Sequence, residues 1–515
     1  MQPSFTALDF AVVVLYLAAT TALGLGLARG QRTTRSYFVA DSAIPWWAVL
    51  FSVVATETSA LTFISIPSLA YAGNFTFLQV ATGYLIGRVV IAYTLLPRYY
   101  QGELVTAYAL LERRFGVATR RFASITFMAT RLFGDSVRLF ATAIPIGLVI
   151  GTAVPEQWVM PASILIMGVV TAIYTYYGGM RAVIWTDVLQ TAVYIIAAFA
   201  AVVILGRGVD GGWSAILDSA RAAGKLDVID ASLVFDRPHT LWAGLIGGAF
   251  LSMASHGADQ LIVQRLLTAS RLADARRALI LSGVVVIAQF ALFLLIGIGL
   301  WAFYQGRTFA RPDEIFPTFI VEAMPPGLTG LVIAAILAAA TISSTLNSLA
   351  AATTHDIYAP ITRRDPNDPR VLRVAKRFTL VWAVALLGAA LLYPAQNTPV
   401  VVVALSIASF TYGGLLGGFF LGILFRRPTQ RDAILGMSVA IVVMSVVVFA
   451  GRLAAAFPGL APVLAPLGRI AWPWYVLIGT SITLAVGLLA SLAHPPPATV
   501  QLPKSEPRAA VGASR

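Results

Sequence analysis

Glu57, Asp135, Asp187 and Asp259 are carboxylates set inside long apolar runs, where oil rather than water is the expected surrounding. A charge at mid-depth in a bilayer costs roughly 2.5–3.5 kcal/mol on insertion scales, so each needs a counter-charge or a task. Asp135 has Arg131 and Arg138 one turn away on either side, the spacing of a pair on one helix face. Glu57 has no basic residue nearby in sequence and sits among hydroxyls in "SVVATETSALTFISIP", residues 52–67. Asp187 falls near the cytoplasmic start of its run, where an acid also suits a helix N-terminus. Asp259, in "MASHGADQLIVQR", reads as the cytoplasmic end of its helix. A second polar stretch is "LAAATISSTLNSLAAATTHD", residues 337–356. Its Thr341, Ser344 and Ser348 share a face at i, i+3, i+7, with Ser343 and Asn347 alongside. Hydroxyls, carboxylates and freed carbonyls are hard oxygen ligands, suited to an alkali cation.

The elements that carry these groups are set by composition. Of 515 residues, 58% are hydrophobic and 11% charged, and the mean hydropathy is +0.82. A soluble domain carries about a quarter charged residues. Runs of about 20 apolar residues that each cross ~30 Å of hydrocarbon account for the balance instead. The net charge of +13 would point to nucleic acid in a soluble chain, but here the basic residues lie in short loops and act as topology signals. Cysteine is absent, and the four histidines form no HExxH pair. No metal-ligand set, nucleophile motif or nucleotide loop points to an enzyme.

Thirteen spans are expected, at about 8–28, 44–72, 76–97, 118–152, 157–177, 180–206, 240–267, 276–304, 327–354, 374–394, 398–425, 432–452 and 471–493. Alternate loops hold the positive charge, for example Arg113, Arg114, Arg120 and Arg121 after the third span, and Arg363 to Arg377 after the ninth. The positive-inside rule then sets the N-terminus outside and the C-terminus in the cytoplasm. The proline-rich stretch 494–515 reads as a disordered tail. The alanine-rich, cysteine-free composition points to a bacterial plasma membrane.

The second and seventh spans are each interrupted near the middle, by "VVATETSA" and "LSMASHGADQ". Irregular backbone at membrane depth survives only where it is buried or lines a cavity. Five spans separate the two starts, as expected for two inverted five-helix repeats that each begin with a broken helix.

Four segments, "WWAVLFSVVATETSALTFISIPSLAY", "YYGGMRAVIWTDVLQ", "DQLIVQRLL" and "AAATISSTLNSLAAATTHDIY", occur in the order in which the sodium/solute symporter family carries their counterparts. Over about residues 8–493 the chain resembles that family, the relatives of the sodium–glucose, sodium–proline, sodium–sialate and sodium–monocarboxylate transporters. The resemblance implies an all-α polytopic membrane protein of 13 transmembrane helices with the LeuT-type five-plus-five inverted repeat. The repeats fall at about 44–206 and 240–425 within one transporter domain, 1–493, with one extra helix before them and two after.

It also implies a sodium site built from the carbonyls of Ala55, Thr58 and Leu337 and from the positions of Ala340 and Thr341. Many members have two adjacent hydroxyl residues there; this chain has Ala340 before Thr341, so one side-chain ligand is missing. Glu57 stands where proline transporters carry an aspartate that matters for sodium. Asp187, Ser343 and Ser344 match an additional sodium site found in some relatives. Thr62, Gln79, Ser252, His256 and Tyr412 are the implied solute contacts, with Phe63 and Trp301 beside them. The surplus of Arg88, Arg131 and Arg138 over Asp135 leaves room for an anionic solute, although Arg88 could bury Asp135 instead. The expected activity is sodium-driven uptake of a small polar organic solute by alternating access. A proton-coupled or uncoupled carrier, with Glu57 titrating, is the alternative. The expected partners are the solute and the lipid bilayer, with no nucleic acid and no obligate protein.

Overall fold

The computed structural model describes residues 5–27, 33–102, 104–151, 154–338, 342–365, 368–393 and 400–495. Among these residues there is no strand, only one isolated bridge between Ile44 and Ala269. An apolar segment in lipid must satisfy its own N–H and C=O groups, and the helix does so within the segment.

The principal helices in chain order are α1 (Ala7–Leu27), α2 (Trp46–Glu57), α3 (Ala60–Ala72), α4 (Leu78–Tyr93) and α5 (Val117–Ile150). The run Glu156–Gly208 divides at Gly179, whose φ of 56° and ψ of −169° turn the chain, into α6 (Glu156–Tyr177) and α7 (Gly179–Gly208). A side chain at Gly179 would strain that turn. Then follow α8 (Gly248–Gly257), α9 (Gln260–Leu266), α10 (Leu272–Phe303), α11 (Leu328–Ala338) and α12 (Ile342–Ala352). The last are α13 (Pro369–Leu391), α14 (Val400–Leu424), α15 (Gln430–Ala456) and α16 (Trp474–Leu492).

Among the described residues eight helices are long and apolar enough to cross a membrane, or nine if α2 and α3, bent by 55°, form one span. Of the other four expected spans, three differ for physical reasons. Helix α4 has only 16 residues. Helix α5 carries Arg131 and Asp135 on a buried face, which dilutes its hydropathy. The stretch 240–267 divides into a π-helical turn, α8 and α9. In the stretch 327–354, α11 and α12 are described on either side of residues 339–341, which lie outside the described residues. The expected tail from 496 onward also lies outside them.

The interior is closed by small-residue contacts and buried caps. The Asp9 carboxylate of α1 accepts from Gly327 N and Gly330 N, both at 2.7 Å, and so caps the start of α11. Asp313 accepts from Ser65 of α3 and from Val400 N (2.9 Å) at the start of α14. Helix α4 lies so close to α8 that a Cβ at Gly87 would stand 2.3 Å from Ala249 O. Such close approach needs glycine, and adding bulk to a packed core costs typically 1–3 kcal/mol. Gly87→Val is therefore expected to lower the melting temperature in detergent and to cut transport. Gly451→Ala, where a Cβ meets nothing within 4 Å, is the control and should leave both unchanged. Equal melting of the two variants would refute the tight contact.

Candidate ion and solute site

The second span breaks where its polar cluster lies. Helix α2 ends at Thr58 (φ −93°, ψ 53°), and Ser59 is extended before α3 begins. The Thr58 hydroxyl turns back to Val54 O at 2.6 Å, and the Thr62 hydroxyl donates to Glu57 O at 2.9 Å. The carbonyls of Ala55 and Thr58 accept no backbone hydrogen bond from the described residues. Carbonyls that lose their helix partner at a break are groups that can coordinate a cation. Leu337 lies one residue from the end of α11, while Ala340 and Thr341 lie outside the described residues.

The seventh span breaks at Ala258–Asp259. Asp259 is the N-cap of α9, accepting from Leu261 N at 2.8 Å, rather than a marker of the cytoplasmic end. Its other oxygen receives Arg131 Nη2 of α5 (2.5 Å) and the Tyr412 hydroxyl of α14 (2.5 Å). Arg131 Nη2 is also 2.6 Å from Tyr412 Oη, and Nη1 is 3.4 Å from Asp135. Asp135 accepts from Thr345 of α12 at 2.7 Å. One arginine thus joins the broken helix to α5 and α14, and through Asp135 to α12.

Between the two breaks lies a cavity of about 90 Å³. Pockets for drug-sized ligands enclose roughly 300–1,000 Å³, so this one fits a small solute or must widen for a larger one. Of the expected solute contacts, Thr62, His256 and Tyr412 line it, together with Glu57, Arg131, Arg138 and Ser255. Glu57 pairs with Arg88, which is fully buried and also donates to Ser282 at 2.6 Å. Arg88 therefore neutralises Glu57, not Asp135. His256 Nε2 stands 3.7 Å from Glu57 and has no hydrogen-bond partner among the described residues, while Nδ1 lies 2.8 Å from Ser255 Oγ. Arg138 reaches Asp135 at 3.4 Å through Nε, and its buried Nη1 has no partner among the described residues.

Two expected contacts are engaged elsewhere. The Gln79 amide donates to His239 O (2.7 Å) and accepts from Asp230 N (3.2 Å), bracing the loop before α8. In that loop, hydrogen bonds from Ser232 hold the Asp230 carboxyl below the usual carboxylate range. The Ser252 hydroxyl donates to Tyr84 O at 2.8 Å, binding α8 to α4. Neither side chain lines the cavity. Phe63 is buried against Tyr194, Phe293 and Phe316, and Trp301 lies under Lys225 at 5.1 Å.

The Arg131–Asp259–Tyr412 and Glu57–Arg88 pairings were not legible from sequence, because 128, 281 and 31 positions separate the partners. The only signal was that each was an ionisable or hydroxyl group within an apolar run. Ser255, beside His256 in the sequence, was also missed.

A family model described as "Sodium:solute symporter family" matches residues 37–440. The sodium/sialic acid symporter NanT of Aliivibrio fischeri is 32% identical over 85% of this chain and 87% of its own length. SiaT of Proteus mirabilis, also a sodium/sialic acid symporter, is 30% identical over 85% and 89%. The sodium-dependent multivitamin transporter of Oryctolagus cuniculus is 30% identical over 89% and 73%. A solved structure of a substrate-bound, outward-open Na+-coupled sialic acid symporter superposes with a TM-score of 0.83 at 28% identity, covering 96% of this chain and 99% of that one. A nucleobase-cation-symport-1 family transporter, at TM-score 0.52 and 12% identity over 90% and 95% of the two chains, shares the fold alone. With a helix broken at its polar cluster and, between the two breaks, a cavity whose mainly apolar wall carries Glu57, Arg131, Arg138 and His256, the chain belongs to the sodium:solute symporter family, a transporter with sodium as its coupling ion and not an enzyme.

Proposed function

We propose that this symporter carries a small carboxylate-bearing solute inward, held in the cavity between the two broken helices. The observation that carries this reading is Arg138, which lines the cavity and whose buried Nη1 lacks a partner among the described residues, while Arg131 is fully engaged. A guanidinium edge of this kind matches a carboxylate. Glu57, an acceptor, and the Nε2 of His256, which has no partner among the described residues, lie nearby and suit a hydroxyl or amine of the same solute. The relatives named for sialic acid and, in Homo sapiens, for monocarboxylates and iodide are consistent with an anion.

A hydrogen bond to a charged group contributes roughly 1.5–3 kcal/mol, so Arg138→Gln should weaken solute binding about 10- to 100-fold. Sodium-dependent uptake of radiolabelled sialic acid and of a short monocarboxylate into proteoliposomes reads this directly. Affinity unchanged by Arg138→Gln would rule out the carboxylate assignment.

Sodium is proposed to bind the carbonyls of Ala55, Thr58 and Leu337 and the Thr341 hydroxyl, with Ala340 contributing no side-chain ligand and Glu57 tuning the field. It then favours the solute-competent state, which is what coupling requires. At 100 times its dissociation constant a ligand stabilises the folded state by ~2.7 kcal/mol. Saturable thermal stabilisation by NaCl over KCl is expected, lost in Thr341→Ala and kept in Ser348→Ala. Identical curves in the two salts, or full stabilisation kept in Thr341→Ala, would overturn this choice of ligands. The architecture proposed around this site is thirteen spans in two inverted repeats, about 44–206 and 240–425, within one domain. The N-terminus lies outside and the C-terminal tail in the cytoplasm of a bacterial plasma membrane.

A further inference from the structure

Asp187, Ser343 and Ser344 offer the oxygen types of an additional sodium site, but in this fold a side chain already holds that place. Arg265 of α9 is fully buried, and Asp187 is 2% exposed. Arg265 Nη2 lies 3.1 Å from Asp187 Oδ2 and also donates to Ser344 Oγ. Its Nε donates to Ser52 Oγ at 2.9 Å and its Nη1 to Leu261 O at 2.7 Å. The Ser52 hydroxyl completes the ring, donating to Asp187 Oδ2 at 2.6 Å. Every guanidinium nitrogen has a partner, and two of the three expected sodium ligands are among them.

A sodium ion at Asp187 would share one carboxylate with the guanidinium. Two cations against one anion, in a place closed to water, is an arrangement that burial strongly disfavours. The guanidinium also draws on lone pairs of both Ser344 and Asp187, the electrons a sodium ion would need. We propose that Arg265 is a tethered cation that takes the place of a second sodium and holds this symporter to the single ion of the common site. The arrangement also ties α2, through Ser52, to α7 and α12, so the charge that excludes sodium helps to hold these helices together.

Equilibrium binding of radioactive sodium to the purified full-length protein, without solute, tests this. The wild type is expected to saturate at one sodium per chain, and Arg265→Gln at one more than the wild type. Two sodium ions in the wild type, or no gain in Arg265→Gln, would overturn the proposal. Because Arg265→Gln leaves Asp187 without its partner, the double variant Arg265→Gln, Asp187→Asn removes both charges and guards against misfolding. It should bind as many ions as the wild type, and a gain there would locate the extra ion elsewhere and also overturn the proposal. The wild-type count rests on the common-site reading. No sodium in the wild type would refute that reading, while the difference between variant and wild type still decides the role of Arg265.

Discussion

Replacing Arg131 by alanine is expected to be the most damaging single change in the solute site. Among the described residues, Asp259 would be left buried with the Tyr412 hydroxyl and the Leu261 amide as its donors. Removing one member of a buried ion pair costs roughly 3–5 kcal/mol, because the remaining charge stays out of water without compensation. Arg131→Ala should therefore lower the melting temperature sharply and abolish uptake. Arg131→Lys separates the two effects. A lysine keeps the charge but has no planar fork, and it cannot serve Asp259, Asp135 and Tyr412 together. It should recover most of the stability yet leave uptake reduced by about tenfold or more, the equivalent of ~1.4 kcal/mol. Melting curves and proteoliposome uptake on the same preparations decide it. Full transport in Arg131→Lys would mean that the network is a packing feature and does not position the cavity wall.

The second large effect is expected at Glu57 and Arg88. Glu57→Ala strands a fully buried guanidinium whose other partner among the described residues is Ser282, again about 3–5 kcal/mol. Exchanging both partners for apolar residues of similar size, Glu57→Leu with Arg88→Met, is often neutral or stabilising by about 1–4 kcal/mol. The double variant should thus fold at least as well as the wild type. Glu57 lines the cavity, so the same variant should lose sodium-dependent uptake by about tenfold or more. A stable double variant that transports normally would reduce Glu57 to a structural counter-ion. One that is stable but inactive assigns the carboxylate to solute or ion handling.

How far each feature was legible depended on whether its cause was local. The break at 55–62 could be read because small and hydroxyl residues interrupt an apolar run, and the structure breaks the helix there. The interruption at 251–260 was equally visible, but the task of Asp259 was not. Whether an aspartate ends one helix or caps the next is decided by the backbone turn and by Arg131 arriving from α5. Asp135 was correctly paired with Arg131 and Arg138, since i, i+3 and i, i+4 neighbours on a helix must meet. Gln79 and Ser252 were named as solute contacts, yet the structure spends their hydrogen bonds on backbone carbonyls of neighbouring elements. No periodicity distinguishes a polar side chain that faces a cavity from one that faces a bare carbonyl.

The sequence by itself determined the helical, lipid-embedded class, the two places where helices must break, and the family. Each follows from hydropathy and local backbone chemistry along the chain. Only the tertiary structure decided the partner of each buried charge: Glu57 with Arg88, Asp259 with Arg131, Asp187 with Arg265. Ion pairing in a low dielectric depends on distances of a few ångströms between helices far apart in the chain. Such distances are fixed by helix packing, and a linear pattern of residue types does not contain them.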